Sequence, residues 1–300
     1  MSKAITFSEY GTPEVLRLSE VTVPEPGPGQ ARIRVRAASV NPLDLKIRAG
    51  LMAGTAPARF PVTPGLDAAG VVDAVGEGAG VVVGEEVLGS AVGGSYGEYA
   101  LLDGPVAKPG SLSWEAAASL VTVARTASRV LAQLGVQPGQ TLLVHGAGGS
   151  VGTVAVQLAT ARGITVVGTA GERDIERLTA LGATAVRYGD GWPERVGDAA
   201  PQGVDFVLDA SGAGVLADSV ALTGDSARVI TIADMSAARH GVRFSAGGDQ
   251  AGQSLRELVD LAAAGGIDVP VWRTYPLAQA AQAHADLEAH RNNGKAVLLP

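Results

Sequence analysis

Thr141-Leu142-Leu143-Val144-His145-Gly146-Ala147-Gly148-Gly149-Ser150-Val151-Gly152 is the stretch that decides the fold. It opens with a short apolar run, the pattern of a buried strand. Glycines follow at once. Beyond them Val151, Val154, Ala155, Leu158 and Ala159 recur at helical spacing and make one apolar face. Strand, glycine turn and amphipathic helix in this order make the context of a dinucleotide-binding turn. Each glycine has a mechanical task. The early ones permit a positive φ and a tight turn. Gly149 lets a pyrophosphate approach the backbone, and Gly152 lets the helix lie close to the strand. The helix start then presents free N–H groups and a positive dipole end to an anion. The spacing is Gly146-x-x-Gly149-x-x-Gly152, with valine at 151, and not the commoner G-x-G-x-x-G.

Outward from this turn the pattern repeats. Residues 165–169, 185–188, 204–209 and 227–232 read as further strands, and 175–181 as a helix closed by Gly182. Strands alternating with helices imply a parallel sheet with helices on both faces, a Rossmann doubly wound unit. Ser113 reads as the N-cap of an alanine-rich helical stretch, with a second stretch over 126–134 stopped by Gly135.

The first hundred residues read differently. Ala31-Arg32-Ile33-Arg34-Val35-Arg36-Ala37 alternates with period two, a half-buried strand whose arginines face solvent. Residues 24–29 are dense in proline and glycine, and residues 68–75 and 84–89 are short glycine-bounded apolar runs. Short strands between such turns suggest a partly open barrel. The tail reads as helices over 255–264 and 277–287 and a strand over 296–299. The expected organisation is α/β: a Rossmann dinucleotide-binding domain over 113–250, with 1–112 and 251–300 joined into one discontinuous β-rich substrate domain.

Composition narrows the function. The 300 residues are 46% hydrophobic and 18% charged, with net charge −7 and no long like-charged run. That argues against nucleic acid or an anionic membrane as partner. With no cysteine, disulfides, iron–sulfur clusters and thiolate zinc sites are excluded. The four histidines form no His-x-x-x-His pair, so no metal site is expected. Met1-Ser2-Lys3-Ala4-Ile5-Thr6-Phe7 lacks an apolar signal core, and a cytoplasmic protein is expected.

The second strand of the Rossmann unit ends Gly168-Thr169-Ala170-Gly171-Glu172-Arg173. An acid there would favour the adenine ribose diol of NAD, and a base the 2′-phosphate of NADP. Glu172 and Arg173 point to opposite answers, and spacing leaves the choice open with the balance toward Arg173.

Several segments together resemble the medium-chain dehydrogenase/reductase family, and within it the zinc-free quinone oxidoreductase (zeta-crystallin-like) branch. They are Ala38-Ser39-Val40-Asn41-Pro42-Leu43-Asp44-Leu45-Lys46, the run from Phe60 to Val72, Gly94-Ser95-Tyr96-Gly97-Glu98-Tyr99, the phosphate loop, and Gly294-Lys295-Ala296-Val297-Leu298. The resemblance implies a GroES-like substrate domain beside the Rossmann unit. Zinc-dependent relatives carry a ligating cysteine where this chain has Asn41, and Gly-His-Glu where it has Gly65-Leu66-Asp67. The resemblance therefore implies hydride transfer to quinones or activated enones without a metal, with NADPH as cofactor. Enoyl reduction of a polyketide-type intermediate and a non-catalytic NADPH-binding sensor are the alternatives.

By the same resemblance the catalytic candidates are Asn41 and Asp44. The cofactor-binding candidates are Asn41, Thr126, Gly146, Gly148, Gly149, Ser150, Val151, Gly171, Arg173, Tyr188, Ser211, Ile232 and Lys295. Gly171 lacks the hydroxyl usual in NADPH-using relatives, which leaves Arg173 and Tyr188 to discriminate. His145 reads as a packed residue, not a base, and Arg125 as half of an ion pair. A homodimer is expected, with strands near 227–232 pairing across a two-fold.

Overall fold

The structure is a computed structural model that describes residues 1–55, 57–247 and 251–300. In chain order it begins with β1 (Ser2–Thr6), β2 (Arg17–Val21), β3 (Gln30–Val40), α1 (Pro42–Arg48), β4 (Asp67–Val75), β5 (Glu86–Val92), β6 (Tyr99–Ala107) and α2 (Trp114–Leu134). It continues with β7 (Thr141–His145), α3 (Ser150–Thr160), β8 (Thr165–Ala170), α4 (Glu172–Ala180), β9 (Thr184–Arg187), α5 (Trp192–Ala199), β10 (Phe206–Asp209), α6 (Leu216–Thr223), β11 (Val229–Thr231) and β12 (Arg243–Phe244). The last elements are α7 (Leu255–Ala263), β13 (Val271–Pro276), α8 (Ala280–Glu288) and β14 (Lys295–Leu299).

Two compact units result. One comprises Met1–Thr122, Leu255–Ala263 and Val269–Pro300; the other comprises Val123–Ser254 and Ala264–Asp268. The break thus falls inside α2, whereas the sequence reading places it before Ser113. The expected second boundary, after residue 250, falls on residues outside those described.

The first unit is built on β3. Ala31, Ile33 and Val35 face its core, while Arg34 and Arg36 face solvent. Arg32 is tied down instead, pairing with Asp73 at 2.9 Å and Glu25 at 3.0 Å. The six-stranded sheet runs β13-β14-β3-β4-β5-β6, and a further β3–β6 pairing curls it toward closure. All its pairings are antiparallel except β13 with β14. Ile5, Phe7, Ile33, Val72, Val87, Leu102 and Leu298 fill the inside. Each fully buried side chain of this size contributes roughly 1.5–3 kcal/mol of transfer free energy.

The second unit is a parallel sheet in the order β12-β11-β10-β7-β8-β9. Counted along the chain within this unit, that is the 3-2-1-4-5-6 order of a doubly wound fold. The chain moves outward from β7 to β8 and β9, then returns to β10 on the other side of β7. Loops following β7 and β10 therefore diverge at the topological switch point, where such sheets bind ligands.

Two expectations change. The two helical stretches expected over 113–134 are one 21-residue helix, α2. Val121, Thr122 and Val123 lower its local propensity, but Leu120, Val121, Val123, Ala124 and Ala127 are all buried, and packing outweighs propensity. Ser113 does cap it, accepting from the Ala116 N–H at 3.1 Å. The strand expected over 227–232 shrinks to Val229–Thr231, after a turn of 3-10 helix. It does not form a free edge for a two-fold partner, because β12 covers Ile230 and Thr231.

Candidate functional site

The phosphate loop of the second unit is held by its own backbone. Gly146 takes φ +71°, and its carbonyl accepts from the Gly149 N–H at 3.0 Å. The Ala147 N–H bonds to Thr169 O on β8 at 3.0 Å. Gly149 caps α3, so the N–H groups of the first turn have no partner within the helix. A Cβ on Gly152 would lie 2.3 Å from Gly146 O, which is why the helix can approach the loop only with glycine there. Gly149 is exposed, while Gly146, Gly148, Ser150 and Val151 are half-buried. The loop is an open cradle of backbone donors.

Across the switch point lies the loop after β10. Ser211 N is 3.2 Å from the place a Gly146 Cβ would take. Asp209, fully buried, organises this loop. Its Oδ1 accepts from the Ser211 N–H at 2.8 Å, the Ser211 hydroxyl at 2.7 Å and the Gly212 N–H at 3.0 Å, and its Oδ2 from the Thr231 hydroxyl at 2.8 Å. The Ile232 N–H bonds to the Asp209 carbonyl at 3.0 Å. Gly146, Ser211 and Ile232 thus meet at one end of the sheet, and Asp209, which the sequence reading passed over, holds Ser211 and Ile232.

The end of β8 carries the third cluster. A Cβ on Gly171 would touch the Tyr188 ring at 3.4 Å, so these two residues are neighbours, and Tyr188 is 68% exposed. Arg173 Nε stands 3.7 Å from Asp174 Oδ2. Thr126 lies on α2, half-buried, as does Arg125. His145 is packed, as read. Ser219 gives its O–H to Val215 O at 2.7 Å, so His145 Nε2–H donates to Ser219 Oγ at 3.2 Å, and Nδ1 accepts from Thr169 at 3.1 Å. Burial lowers its pKa to about 4, against a smaller opposing pull from Asp209.

The first unit holds a separate buried polar cluster. Asn41 opens α1, and its N–H bonds to Asp44 Oδ2 at 2.8 Å, half of a capping box. Its side-chain amide is almost fully used. Nδ2 donates to Asp67 Oδ2 at 2.9 Å and faces Ser39 Oγ at 3.4 Å, while Oδ1 accepts from Lys295 Nζ at 2.7 Å. Lys295 also donates to Val40 O at 2.9 Å. Asp67 further accepts from Thr122 at 2.6 Å and Ser39 at 3.0 Å. What remains to Asn41 is a lone pair on Oδ1, suited to a hydroxyl or N–H donor and not to a carbonyl.

Asp44 is equally enclosed. Its Oδ2 accepts from the Tyr96 hydroxyl at 3.1 Å, and that hydroxyl lies 3.3 Å from His284 Nε2. Burial raises the Asp44 pKa to about 7. Repulsion from Asp67 adds to this, and the Asn41 and Tyr96 hydrogen bonds and the Lys295 charge oppose it. Burial also lowers Lys295, against the pull of Asp67 and Asp44. Lys295 thus faces two carboxylates, Asp67 and Asp44. Gly65, at φ +107°, leads into this cluster; a Cβ there would meet Ser95 Oγ at 2.2 Å and the Tyr96 ring at 2.5 Å.

Asn41, Asp44 and Lys295 therefore come together in the first unit. Asp67, Tyr96 and His284 complete their cluster without having been singled out as site residues. A pattern of buried polar residues around Pro-Gly-x-Asp was the available signal for Asp67; His284 sits in a helical stretch and gives none. Neither the engaged Asn41 amide nor Leu66 offers zinc a thiolate or imidazole. Among the described residues, no three His, Asp or Glu groups cluster to hold a metal.

Residues 27–128 match the family described as alcohol dehydrogenase GroES-like domain, and residues 181–298 that described as zinc-binding dehydrogenase. A quinone oxidoreductase of Lama guanicoe is 34% identical over all of this chain and 98% of its own length. Among solved structures, the quinone oxidoreductase of Coxiella burnetii has TM-score 0.86 at 30% identity, covering 100% of this chain and 99% of that one. A mycobacterial protein solved in complex with NADPH has TM-score 0.85 at 29% identity, with both chains fully covered.

Proposed function

Because the chain belongs to the medium-chain dehydrogenase/reductase family, in its zinc-free quinone oxidoreductase branch, we propose that it is an NADPH-dependent reductase of quinones or activated enones. The carrying observation is the open glycine cradle at the switch point of a 3-2-1-4-5-6 sheet, in a chain similar over its full length to a quinone oxidoreductase. Bound there, NADPH supplies the hydride.

The residues divide the work. Backbone donors over Gly146, Gly148, Gly149, Ser150 and Val151 hold the pyrophosphate. Arg173 and Tyr188, beside Gly171, hold the 2′-phosphate. Ser211, Ile232 and Thr126 border the nicotinamide half. Asn41 Oδ1 keeps one lone pair for a hydroxyl or N–H donor. Lys295, Asp67 and Asp44 are positioning residues, since each acts by fixing the Asn41 amide or its backbone. An acceptor quinone that takes the hydride and one solvent proton leaves as the hydroquinone; an enone leaves as the saturated ketone.

The test is NADPH oxidation followed at its absorbance against a panel of simple quinones and enones. Turnover with members of either class, faster with NADPH than NADH, supports the reading. Tight NADPH binding with no turnover on any acceptor would overturn it in favour of a sensor.

A further inference from the structure

A part-buried ion-pair cluster links the phosphate loop to α4. Arg177 donates from Nη2 to Gly148 O at 2.9 Å and to Asp174 Oδ1 at 2.8 Å, and from Nη1 to Thr153 Oγ1 at 2.8 Å. Thr153 in turn donates to Ala147 O at 3.1 Å. The guanidinium therefore clamps the loop, α3 and α4 at once. An i,i+3 pair on a helix is ordinarily a solvated surface feature. This one is not: Asp174 is 7% exposed, and its carboxylate carbon lies 2.8 Å from where a Gly148 Cβ would be. A carboxylate is thus packed under a loop that receives phosphate. It also faces Arg173 on its other oxygen, at 3.7 Å.

We propose that Asp174 and Arg177 set nucleotide affinity and selectivity as a pair: Arg177 fixes the affinity common to NADPH and NADH, and Asp174 tempers the preference for NADPH. This rests on the NADPH reading above. Arg177 shapes the loop that meets the pyrophosphate, a group both nucleotides share. It also neutralises the carboxylate beneath that loop. Asp174 shares Arg173 with any 2′-phosphate, and two anions on one guanidinium repel each other. NADH has no 2′-phosphate and does not feel that competition. The two residues therefore predict different signatures and not merely weaker binding.

Calorimetric Kd values for NADPH and NADH decide it, with wild type, Asp174→Asn and Arg177→Lys. Asp174→Asn keeps the acceptor for Arg177 and removes the charge. Its NADPH Kd should fall by about threefold or more relative to its NADH Kd, and this relative gain should shrink at high salt. Arg177→Lys keeps the charge and loses the fork, so both Kd values should rise together by about tenfold. A ratio of the two Kd values that Asp174→Asn leaves unchanged or shifts toward NADH overturns the proposal. So does an Arg177→Lys variant that binds both nucleotides as wild type does. Circular-dichroism melts identify a variant that has failed to fold; if Arg177→Lys fails, the Asp174→Asn ratio decides, and if Asp174→Asn fails, Asp174→Ser, which also removes the charge, takes its place. Wild-type protein that binds neither nucleotide would instead sink the NADPH reading itself, a result visible before any variant is compared.

Discussion

Lys295 places its ammonium 2.7 Å from Asn41 Oδ1, and so fixes which face of the Asn41 amide points to Asp67. It is 3% exposed, and its charge opposes the burial that raises Asp44. Replacing it by Met keeps the packing volume and removes the charge. Asp67 and Asp44 then share a buried pocket with no counter-ion. Removing one partner of a buried pair costs about 3–5 kcal/mol. Lys295→Met should lose that much unfolding free energy in urea at neutral pH, and less at acidic pH where Asp44 takes a proton. A midpoint equal to wild type at neutral pH would show that the cluster needs no cation.

Asp44 makes stability depend on pH in a particular direction. Its folded pKa is about 7, raised from an ordinary 3.8. A raised acid contributes stability fully below its unfolded pKa, and that contribution is lost as pH rises through the folded pKa. The window therefore runs from about 4 to about 7. His145 and His284, lowered by burial to about 4 and about 3, act oppositely: their contribution is present above the ordinary 6.5 and is lost as pH falls. The two effects overlap in wild type, so the difference between proteins is the useful quantity. Asp44→Asn should gain stability relative to wild type as pH rises through that window, by urea titration at several pH values. A difference flat with pH would show that Asp44 keeps an ordinary pKa.

The parts legible in the sequence are those whose signal is local. The Gly146–Gly152 turn announces itself because strand, turn and helix adjoin in the chain. The alternation at Ala31–Ala37 gave β3 for the same reason. Asn41 and Lys295, 254 positions apart, were reached only through resemblance, and their direct bond is a product of β14 pairing with β3. Asp209 and Asp174 carry no local signal that sets them apart from other acids. Only the fold shows that one gathers Ser211, Gly212 and Thr231, and that the other lies under Gly148. That α2 runs unbroken through Val121-Thr122-Val123 is a consequence of burial, which is not visible locally.

Two glycines of the loop should separate folding from binding. At Gly152 a Cβ would stand 2.3 Å from Gly146 O and 2.7 Å from Ala147 Cα, both backbone atoms that cannot swing aside. Gly152→Ala should push α3 off the loop and cost about 1–3 kcal/mol, with NADPH binding lost alongside. Gly149 sits at φ −74°, where alanine is at ease, and a Cβ there meets only Gly146 O at 3.3 Å. Gly149→Ala should melt near the wild-type temperature yet bind NADPH more weakly. If Gly149→Ala bound NADPH unchanged, the pyrophosphate would not approach this backbone.

Gly171 offers a gain instead of a loss. It caps α4 at φ −76° and ψ 160°, a conformation serine adopts freely. A Cβ there would rest 3.4 Å from Tyr188 Cε1, with Arg173 two residues on. Serine at this place would add a hydroxyl beside the group assigned to the 2′-phosphate. A hydrogen bond to a charged group contributes about 1.5–3 kcal/mol, so NADPH should bind roughly tenfold more tightly or better in Gly171→Ser. NADH, without the phosphate, should bind as before. The change in cap should move stability by only a few tenths of a kcal/mol. Equal Kd changes for both nucleotides would place the 2′-phosphate away from Gly171, Arg173 and Tyr188.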